Sequence, residues 1–328
     1  MIKTNSIAAW FLAARPKTLT AAAVPVLLGI SLAMKDSAIL SITSQGALPM
    51  ADQAPIRWVP AVLCLLFAWV MQIDSNLVND YFDFKHGNDD ETRLGPKRAC
   101  AEGWITLPAM KRGILVTTLL GCAIGLPLVL FGGMEMIIVG ILCVIFCFLY
   151  TTKLSYLGLG DLLVLVFFGI VPVCCTYYLV MPVADASPAV PLHVFLTSLA
   201  CGLVVDTLLI VNNYRDYDND KKAGKKTLIV HIGRGNAERL YCALGIIASL
   251  IIIGIIAYQS LHGQGTSIFL PFIAPYLVLH WLTYVQMKRI GEGRELNKIL
   301  GMTARNIFLF GVFSCIAILG SALLGITT

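Results

Sequence analysis

The chain has 328 residues, of which 58% are hydrophobic and 13% charged, and its mean hydropathy is +0.81. This composition excludes an ordinary soluble domain and indicates an integral membrane protein. The apolar runs are continuous and lack the alternating pattern of an outer-membrane β-barrel, which excludes that class as well. The net charge of +5 reflects membrane topology, so we expect no nucleic-acid partner.

Nine apolar runs are long enough to cross a bilayer as helices, which takes roughly 20 residues each. We therefore predict an all-α integral membrane protein, with residues 1–328 forming a single membrane domain. In chain order the predicted spans are 19–34, 58–79, 113–131, 134–150, 160–181, 194–213, 239–258, 268–287 and 306–326.

The distribution of basic residues predicts the orientation of these spans. All of the 24 Lys and Arg residues except Lys35 and Arg57 fall in alternate connecting segments. Basic residues are concentrated in cytoplasmic loops, so we predict a multi-pass protein of the cell (inner) membrane with its N-terminus inside and its C-terminus outside. The segments predicted to be cytoplasmic are 1–18, 80–112, 151–159, 214–239 and 288–305.

Two polar passages follow apolar runs and resemble each other. "NLVNDYFDFK" begins at residue 76 and "NNYRDYDNDK" at residue 212, so corresponding positions are 136 residues apart. Asn, Asp, Tyr and Lys coincide when the passages are superposed. The match predicts two related helix bundles, as pseudo-repeats over about 14–150 and 151–328.

Each passage places acidic side chains on one helix face, since residues three or four apart are neighbours on a helix. Carboxylates so spaced repel one another, and near a membrane the repulsion is costly unless cations compensate it. A solvated helix end would explain one such cluster, but two matched clusters on the same membrane side favour cation binding. The residues concerned are Asn76, Asp80 and Asp83 in the first cluster, and Asn212, Asp216 and Asp220 in the second.

Oxygen ligands of this kind indicate Mg²⁺, which proteins usually hold with one or two carboxylates together with substrate phosphates and water. Basic residues beside the clusters fit a diphosphate, because Arg binds phosphate in a bidentate manner and Lys neutralises its charge. "RLGPKR" follows the first cluster and "KKAGKKT" the second, and Lys153 lies between them.

Four passages together resemble the UbiA superfamily of intramembrane prenyltransferases, and most closely its branch that prenylates 1,4-dihydroxy-2-naphthoate. The resemblance implies nine helices in two bundles around a central cavity that opens sideways to lipid. The passages are "ARPKTLTAAAVPVLLG" at 14–29, "NLVNDYFDFKHGNDDETRLGPKRACAEGWIT" at 76–106, "YLGLGDLLVLVFFGIVPV" at 156–173 and "NNYRDYDNDKKAGKKTLIVHIGR" at 212–234.

The resemblance also implies roles for individual residues. Asp80, Asp83, Asp216 and Asp220 are expected to be catalytic, and with Asn76 and Asn212 they are expected to hold Mg²⁺ and the diphosphate. Residues expected to bind the diphosphate directly are Arg93, Lys97, Arg98, Lys153, Arg215 and Lys225.

Two departures from the family pattern affect these assignments. Gly87 stands four residues after Asp83, so either Asp89 or Asp90 is expected to supply a further oxygen. "YTTKLSYLG" replaces a "GGP"-like stretch around Lys153 and alters that loop.

The implied reaction transfers a polyprenyl group from polyprenyl diphosphate to 1,4-dihydroxy-2-naphthoate, with loss of CO₂ and pyrophosphate, and forms demethylmenaquinone. The apolar bundle would shelter the allylic cation, and aromatic faces such as those of Tyr150 and Phe167 would stabilise it. The general base is left open between Asp206 and Asp74, because an ionisable residue inside a membrane span is a functional candidate.

Two alternatives remain. Another aromatic acid such as 4-hydroxybenzoate would suit the same chemistry, although "RPKTL" with "LGPKR" favours the naphthoate branch. An ion-coupled membrane transporter would also use repeats and acidic residues, but its acids are expected at mid-depth in broken helices. A phosphatidyl-group transferase of the CDP-alcohol type requires a DG-x-x-A-R run, which is absent from the sequence. No protein partner is indicated.

Overall fold

The structure, a computed structural model, describes residues 2–43, 56–87, 93–181 and 189–325. Within these ranges every regular element is a helix. The all-α prediction is therefore confirmed.

The helices vary from single turns to spans of 30 residues. In chain order they are α1 (Ile7–Ala14), α2 (Pro16–Thr43), α3 (Trp58–Lys85), α4 (Leu107–Gly125), α5 (Val129–Gly132), α6 (Glu135–Leu149), α7 (Gly160–Leu165), α8 (Val171–Val180), α9 (Leu192–Arg215), α10 (Tyr217–Lys222), α11 (Leu228–Ile232), α12 (Arg234–Leu261), α13 (Ala274–Ile290) and α14 (Leu296–Gly325). Short 3₁₀ segments at Leu126–Leu128 and Ser267–Ile273 and π-helical segments at Tyr150–Leu154 and Val166–Ile170 connect some of them.

Nine helices in the described part of the chain are long and apolar enough to cross a membrane, which confirms the predicted number of spans. The protein is a multi-pass membrane protein. The last helix begins at Leu296, ten residues before the predicted start at 306, because its polar first turns continue the helix beyond the apolar run. The spans are Pro16–Ile39, Trp58–Lys85, Leu107–Gly132, Glu135–Thr152, Gly160–Val180, Leu192–Arg215, Arg234–Leu261, Ser267–Ile290 and Leu296–Ala322.

The core lies where α2, α8, α9, α12 and α14 pack together. Buried side chains such as Leu28, Val173 and Phe310 fill it. At Gly29 the backbone of α8 approaches α2 closely, since a Cβ there would lie 2.8 Å from the carbonyl oxygen of Val173. By contrast, α4 and α6 expose many apolar side chains, as expected for helices that face lipid.

Candidate active site

The first acidic cluster lies on the last turns of α3, and Asp80 is its most buried member at 1% exposure. Its Oδ2 accepts a hydrogen bond from the backbone N–H of Ala99 (2.8 Å) and its Oδ1 accepts one from that of Cys100 (2.9 Å). Asp80 therefore fixes the position of the chain that follows Arg98.

Asn76 has a similar structural role at another junction. Its Nδ2 donates to the carbonyl oxygen of Ala14 (3.0 Å) and to the hydroxyl of Thr18 (2.9 Å). Its Oδ1 accepts from Nε2 of Gln72 at 3.3 Å. Asn76 thus joins α3 to the corner between α1 and α2.

Asp83 and Asn79 stand one turn apart on α3 beside Arg98. Nη1 of Arg98 lies 2.7 Å from Asp83 Oδ2 and also donates to the carbonyl oxygen of Asn79. The Asn79 side chain accepts from the hydroxyl of Thr151 and lines a cavity. Comparison of the two acidic passages did not indicate Asn79, because the matching position in the second passage is Arg215.

The second acidic cluster spans a break between α9 and α10. Asp216 lies between the two helices, with φ −91° and ψ 8°. Helical hydrogen bonds nevertheless continue across it, from Asp216 N to Asn212 O (3.1 Å) and from Asp220 N to Asp216 O (2.8 Å). The one-turn spacing of the three predicted residues therefore survives the interruption of the helix.

Arg215 is 1% exposed and is bonded to the residues of its own cluster. Its Nε donates to Asp216 Oδ1 (2.9 Å), and its Nη2 donates to Asp216 Oδ2 (2.5 Å) and to Asn212 Oδ1 (2.7 Å). Its Nη1 donates to Oδ1 of Asn297 on α14 at 3.0 Å. The guanidinium predicted to bind diphosphate thus holds the second acidic cluster together.

Lys225 pairs with the second acidic cluster. Its Nζ is 3.3 Å from Asp220 Oδ1 and 5.1 Å from the centre of the Tyr156 ring. Burial by itself would lower the pKa of Lys225, but the charges of Asp220 and Asp83 oppose this and the pKa is raised overall. Burial raises the pKa of Asp220, and the charge of Lys225 partly offsets that rise.

The chain from Arg93 to Arg98 runs from the second cluster, near Gly95, to the first cluster, where Arg98 pairs with Asp83. Nδ2 of Asn297 donates to the carbonyl oxygen of Leu94 at 2.8 Å. Gly95 lies against the second cluster, since a Cβ on it would be 2.9 Å from Nη2 of Arg215. Nζ of Lys97 instead pairs with Glu102 at 2.8 Å, and the Lys97 side chain is 70% exposed.

Arg15 is a further basic residue at this site that the motifs did not single out. It joins α1 to α2 in a left-handed conformation, with φ 51°, which is uncommon for a residue other than glycine. It lines the same cavity as Arg93 and Arg98. Burial and the neighbouring charge of Arg98 lower the pKa of Arg15 to about 10. The only sequence signal was its place in "ARPKT", at the start of the first family-like passage.

Three predicted positions have no described side chain. Asp89 and Asp90 lie outside the described residues, and Lys153 is described only by its backbone in the π-helical segment Tyr150–Leu154. The two candidate bases differ in their surroundings. Asp74 accepts hydrogen bonds from the hydroxyls of Thr117 and Thr118, whereas Asp206 Oδ1 is buried with no hydrogen-bond partner among the described residues.

Residues from both clusters line a cavity of about 1080 Å³. Its polar end includes Arg15, Arg93 and Arg98 beside the amides of Asn79 and Asn212. The rest of its wall is apolar and aromatic, with Val26, Phe67, Met71, Phe146, Phe167, Phe168 and Leu179. A cavity with this division suits a ligand that has an anionic head and a hydrocarbon tail.

Carboxylates beside the polar end of the cavity supply oxygen donors of the kind that Mg²⁺ prefers. Among the described residues no three His, Cys, Asp or Glu side chains are grouped closely enough to hold a metal by themselves. The carboxylates of Asp83, Asp216 and Asp220 are respectively 17%, 26% and 9% exposed. Mg²⁺ is commonly held by one or two carboxylates, with phosphate and water completing its shell, so these carboxylates suffice when a diphosphate is present.

Comparisons with known proteins agree with this arrangement. The sequence pattern of the UbiA prenyltransferase family matches residues 39–302. The chain is 36% identical over 279 residues to 1,4-dihydroxy-2-naphthoate octaprenyltransferase of Escherichia coli (strain K12), which covers 82% of each chain. It is 32% identical to the protein of the same name from Haemophilus influenzae, over 74% of each chain.

Solved structures share the fold. A UbiA homolog from Archaeoglobus fulgidus bound to DMAPP and Mg²⁺ superposes with a TM-score of 0.58 at 17% identity, covering 94% of this chain and 98% of that one. A UbiA homolog from Aeropyrum pernix K1 superposes with a TM-score of 0.59 at 14% identity, covering 88% and 96%. The sequence matches and the shared fold together show that the chain belongs to the UbiA prenyltransferase family.

Proposed function

We propose that this protein transfers a polyprenyl group from polyprenyl diphosphate to 1,4-dihydroxy-2-naphthoate, releasing pyrophosphate and CO₂ and forming demethylmenaquinol, the hydroquinone form of demethylmenaquinone. The observation that carries the proposal is the division of the cavity, with the guanidiniums of Arg15, Arg93 and Arg98 and the amides of Asn79 and Asn212 at one end and apolar walls beyond. The names of the relatives from E. coli and H. influenzae support the choice of acceptor.

The diphosphate lies at the polar end, where Arg15, Arg93 and Arg98 neutralise it together with Lys225. When bound, Mg²⁺ would add positive charge against the leaving diphosphate. The residues that would hold it are Asp83 with Asn79, and Asp216 and Asp220 with Asn212. Asp80 and Asn76, although predicted as ligands, are assigned to positioning, because they are only 1% and 4% exposed and their side chains are bonded to backbone groups of other segments.

During transfer, the bond between the prenyl carbon and the diphosphate oxygen breaks, and its electron pair leaves with the diphosphate. Basic side chains at the polar end stabilise that growing negative charge. The apolar wall, which includes Phe146, Phe167 and Phe168, excludes water from the allylic cation, and its aromatic faces stabilise the positive charge. A ring carbon of the acceptor then forms the new carbon–carbon bond.

We further propose that the site faces the cytoplasm in the inner membrane. The argument is the concentration of Lys and Arg in alternate connections, which places the N-terminus inside and the C-terminus outside. Accessibility labelling of single cysteines introduced at Lys97 and at Arg57 in intact cells tests this orientation. Labelling of the Lys97 position from outside the cell would contradict it.

The function is tested with purified protein, Mg²⁺, a long-chain polyprenyl diphosphate and 1,4-dihydroxy-2-naphthoate. We expect equal amounts of pyrophosphate and CO₂, and a product with the mass of the decarboxylated prenyl adduct. If 4-hydroxybenzoate is consumed in place of the naphthoate, the proposed acceptor is wrong, whereas the proposed class of reaction, aromatic prenyl transfer, is retained. Ion flux into liposomes without any product would favour the transporter.

A further inference from the structure

Two connections between helices lie against each other beside the second acidic cluster. One leads from the π-helical segment Tyr150–Leu154 to α7 and contains Tyr156 and Gly158, and the other leads from α10 to α11 and contains Lys225 and Lys226. The backbone N–H of Lys226 donates to the carbonyl oxygen of Tyr156 at 2.9 Å. A Cβ on Gly158 would overlap the carbonyl oxygen of Lys226, so this close approach of the two connections requires glycine.

The backbone around Lys225 is fixed by the helices on both sides of it. The N–H of Lys225 donates to the carbonyl oxygen of Asp220 at 2.9 Å, which ties it to α10. Thr227 caps the start of α11, because its hydroxyl accepts from the backbone N–H of Val230 at 3.3 Å. The Lys225 side chain therefore begins at a fixed point, and its direction is set by the groups that contact its ammonium.

Asp220 and the ring of Tyr156 both contact this ammonium. Nζ of Lys225 lies 3.3 Å from Asp220 Oδ1 and above the Tyr156 ring, 5.1 Å from its centre. The Lys225 side chain is 22% exposed and that of Asp220 is 9% exposed, so the ammonium is largely shielded from water. A cation within about 6 Å of the centre of an aromatic ring is attracted by the negative face of the ring, and more strongly where water is excluded.

The ring can hold Lys225 under a condition in which Asp220 cannot. Asp220 is one of the residues proposed to hold Mg²⁺, and a carboxylate whose charge is compensated by a metal ion attracts a lysine less. An ammonium held by Asp220 alone would lose its partner when the site is occupied. The Tyr156 ring has no formal charge and does not compete for the metal, so it keeps the ammonium beside the site. Lys225 is then available to bond a diphosphate oxygen.

We propose that Tyr156 is a positioning residue, and that the face of its ring holds the Lys225 ammonium in place to bind the diphosphate. The inference rests on the proposed function and deepens it. Tyr156 lies in "YTTKLSYLG", the passage that departs from the family pattern. Its role therefore follows from the contacts of this chain, namely the cation–ring contact with Lys225 and the backbone bond with Lys226.

The first experiment compares Tyr156→Phe and Tyr156→Leu with the unaltered protein in detergent. Tyr156→Leu should weaken pyrophosphate binding, measured by isothermal titration, and raise KM for polyprenyl diphosphate, each roughly 3- to 30-fold. KM for the naphthoate and kcat should change little, because Lys225 binds the diphosphate both before and during the transfer. Tyr156→Phe keeps the ring and should behave like the unaltered protein. Tyr258→Leu is the matched control, since the Tyr258 ring packs on His262 at the other end of α12.

The second experiment asks whether the ring acts through the lysine. If it does, adding Tyr156→Leu to Lys225→Met should cause no further loss of pyrophosphate affinity beyond that of Lys225→Met alone. Losses that add in full would overturn the proposal. A polyfluorinated phenylalanine at position 156 keeps the shape of the ring and removes the negative charge of its face, so it should weaken pyrophosphate binding as Tyr156→Leu does. The fluorinated residue decides the question if Tyr156→Leu does not fold.

The role of the ring and the proposed function can fail separately. Equal losses of pyrophosphate affinity in Tyr156→Phe and Tyr156→Leu would show that the hydroxyl matters and the ring contact does not. Unchanged affinity in Tyr156→Leu and in the fluorinated protein would also overturn the positioning role. In both cases prenylation of the naphthoate by the unaltered protein leaves the proposed function standing. If the unaltered protein forms no prenylated product, the proposed function is wrong, and the pyrophosphate titrations still decide for or against Tyr156.

Discussion

The guanidinium of Arg215 donates to both carboxylate oxygens of the next residue, Asp216, at 2.9 and 2.5 Å. Neighbouring residues on a regular helix do not face each other, and this contact lies where α9 ends at Arg215. The same guanidinium also holds Asn212 and Asn297. A single buried cation therefore sets the geometry of the second acidic cluster.

Replacement of Arg215 by Lys should impair the enzyme even though the charge is kept. An ammonium group cannot bond both oxygens of Asp216 and two Asn side chains in one plane. Since hydrogen bonds to charged groups contribute about 1.5–3 kcal/mol, we expect kcat/KM to fall roughly 10- to 100-fold. Steady-state kinetics at saturating Mg²⁺ checks this, with Arg239→Lys as the control; equal losses in both variants would contradict it.

Asp80 and Asp83 should behave differently when altered. Asp80→Ala leaves two buried backbone N–H groups unpaired and should lower the free energy of unfolding by about 1–3 kcal/mol. Asp83→Asn should retain stability and lose turnover, because it removes a carboxylate from the proposed metal site. Thermal unfolding in detergent and product formation by both variants distinguish the two roles. A stable, inactive Asp80→Ala protein would instead make Asp80 a ligand.

Asn297 should control the binding of the diphosphate, although it was not predicted as a site residue. Its amide bonds the carbonyl of Leu94 and accepts from Arg215, so it holds the Arg93–Arg98 chain beside the second cluster. Asn297→Ala should raise KM for polyprenyl diphosphate roughly 10-fold with little change in KM for the acceptor. Asn236→Ala is the control, since the exposed Asn236 side chain donates to the carbonyl of Ile232 in its own helix region, away from the Leu94 carbonyl. A rise in KM for both the diphosphate and the acceptor would contradict this prediction and indicate that the substitution disturbs the whole cavity.

Lys225→Met should make metal binding more sensitive to acid. Burial raises the pKa of Asp220 and the charge of Lys225 lowers it, so removal of that charge raises it further. Protons compete with Mg²⁺ for the carboxylate, so the apparent Mg²⁺ affinity of the variant should begin to fall at a higher pH than that of the unaltered protein. Isothermal titration with Mg²⁺ and pyrophosphate across the acidic range measures this. If the Mg²⁺ affinity of the two proteins falls at the same pH, the prediction is contradicted.

The sequence predicted the fold well, since each span needs only a long apolar run and each run gave a helix. The prediction of two pseudo-repeats stays a prediction. The site residues were harder to predict than the fold, because residues at one-turn spacing share a helix face whether they bind a ligand or stabilise the fold. Spacing could not separate Asp80, which is 1% exposed and accepts from two backbone N–H groups, from Asp83, which is more exposed and pairs with Arg98. Arg15 and Asn297 reach the site only through packing between distant parts of the chain, which no local pattern records.

The end of α9 shows a second limit. The passage reads as one continuous helix, yet the helix ends at Arg215 and a new one begins at Tyr217. The bidentate contact of Arg215 with Asp216 lies at that break. Comparison with the first passage did not predict the break, because α3 continues unbroken to Lys85.

The polar end of the cavity combines the α1–α2 corner, the end of α3, the Arg93–Arg98 chain, the end of α9 and the beginning of α14. An anion seated there would touch the first and last membrane-spanning helices at once and would cross-link them without a covalent bond. Its departure would release parts of the molecule that are far apart in the sequence. Extraction from the membrane in the presence of pyrophosphate and Mg²⁺ should therefore lengthen the time for which the detergent-solubilised enzyme retains its activity.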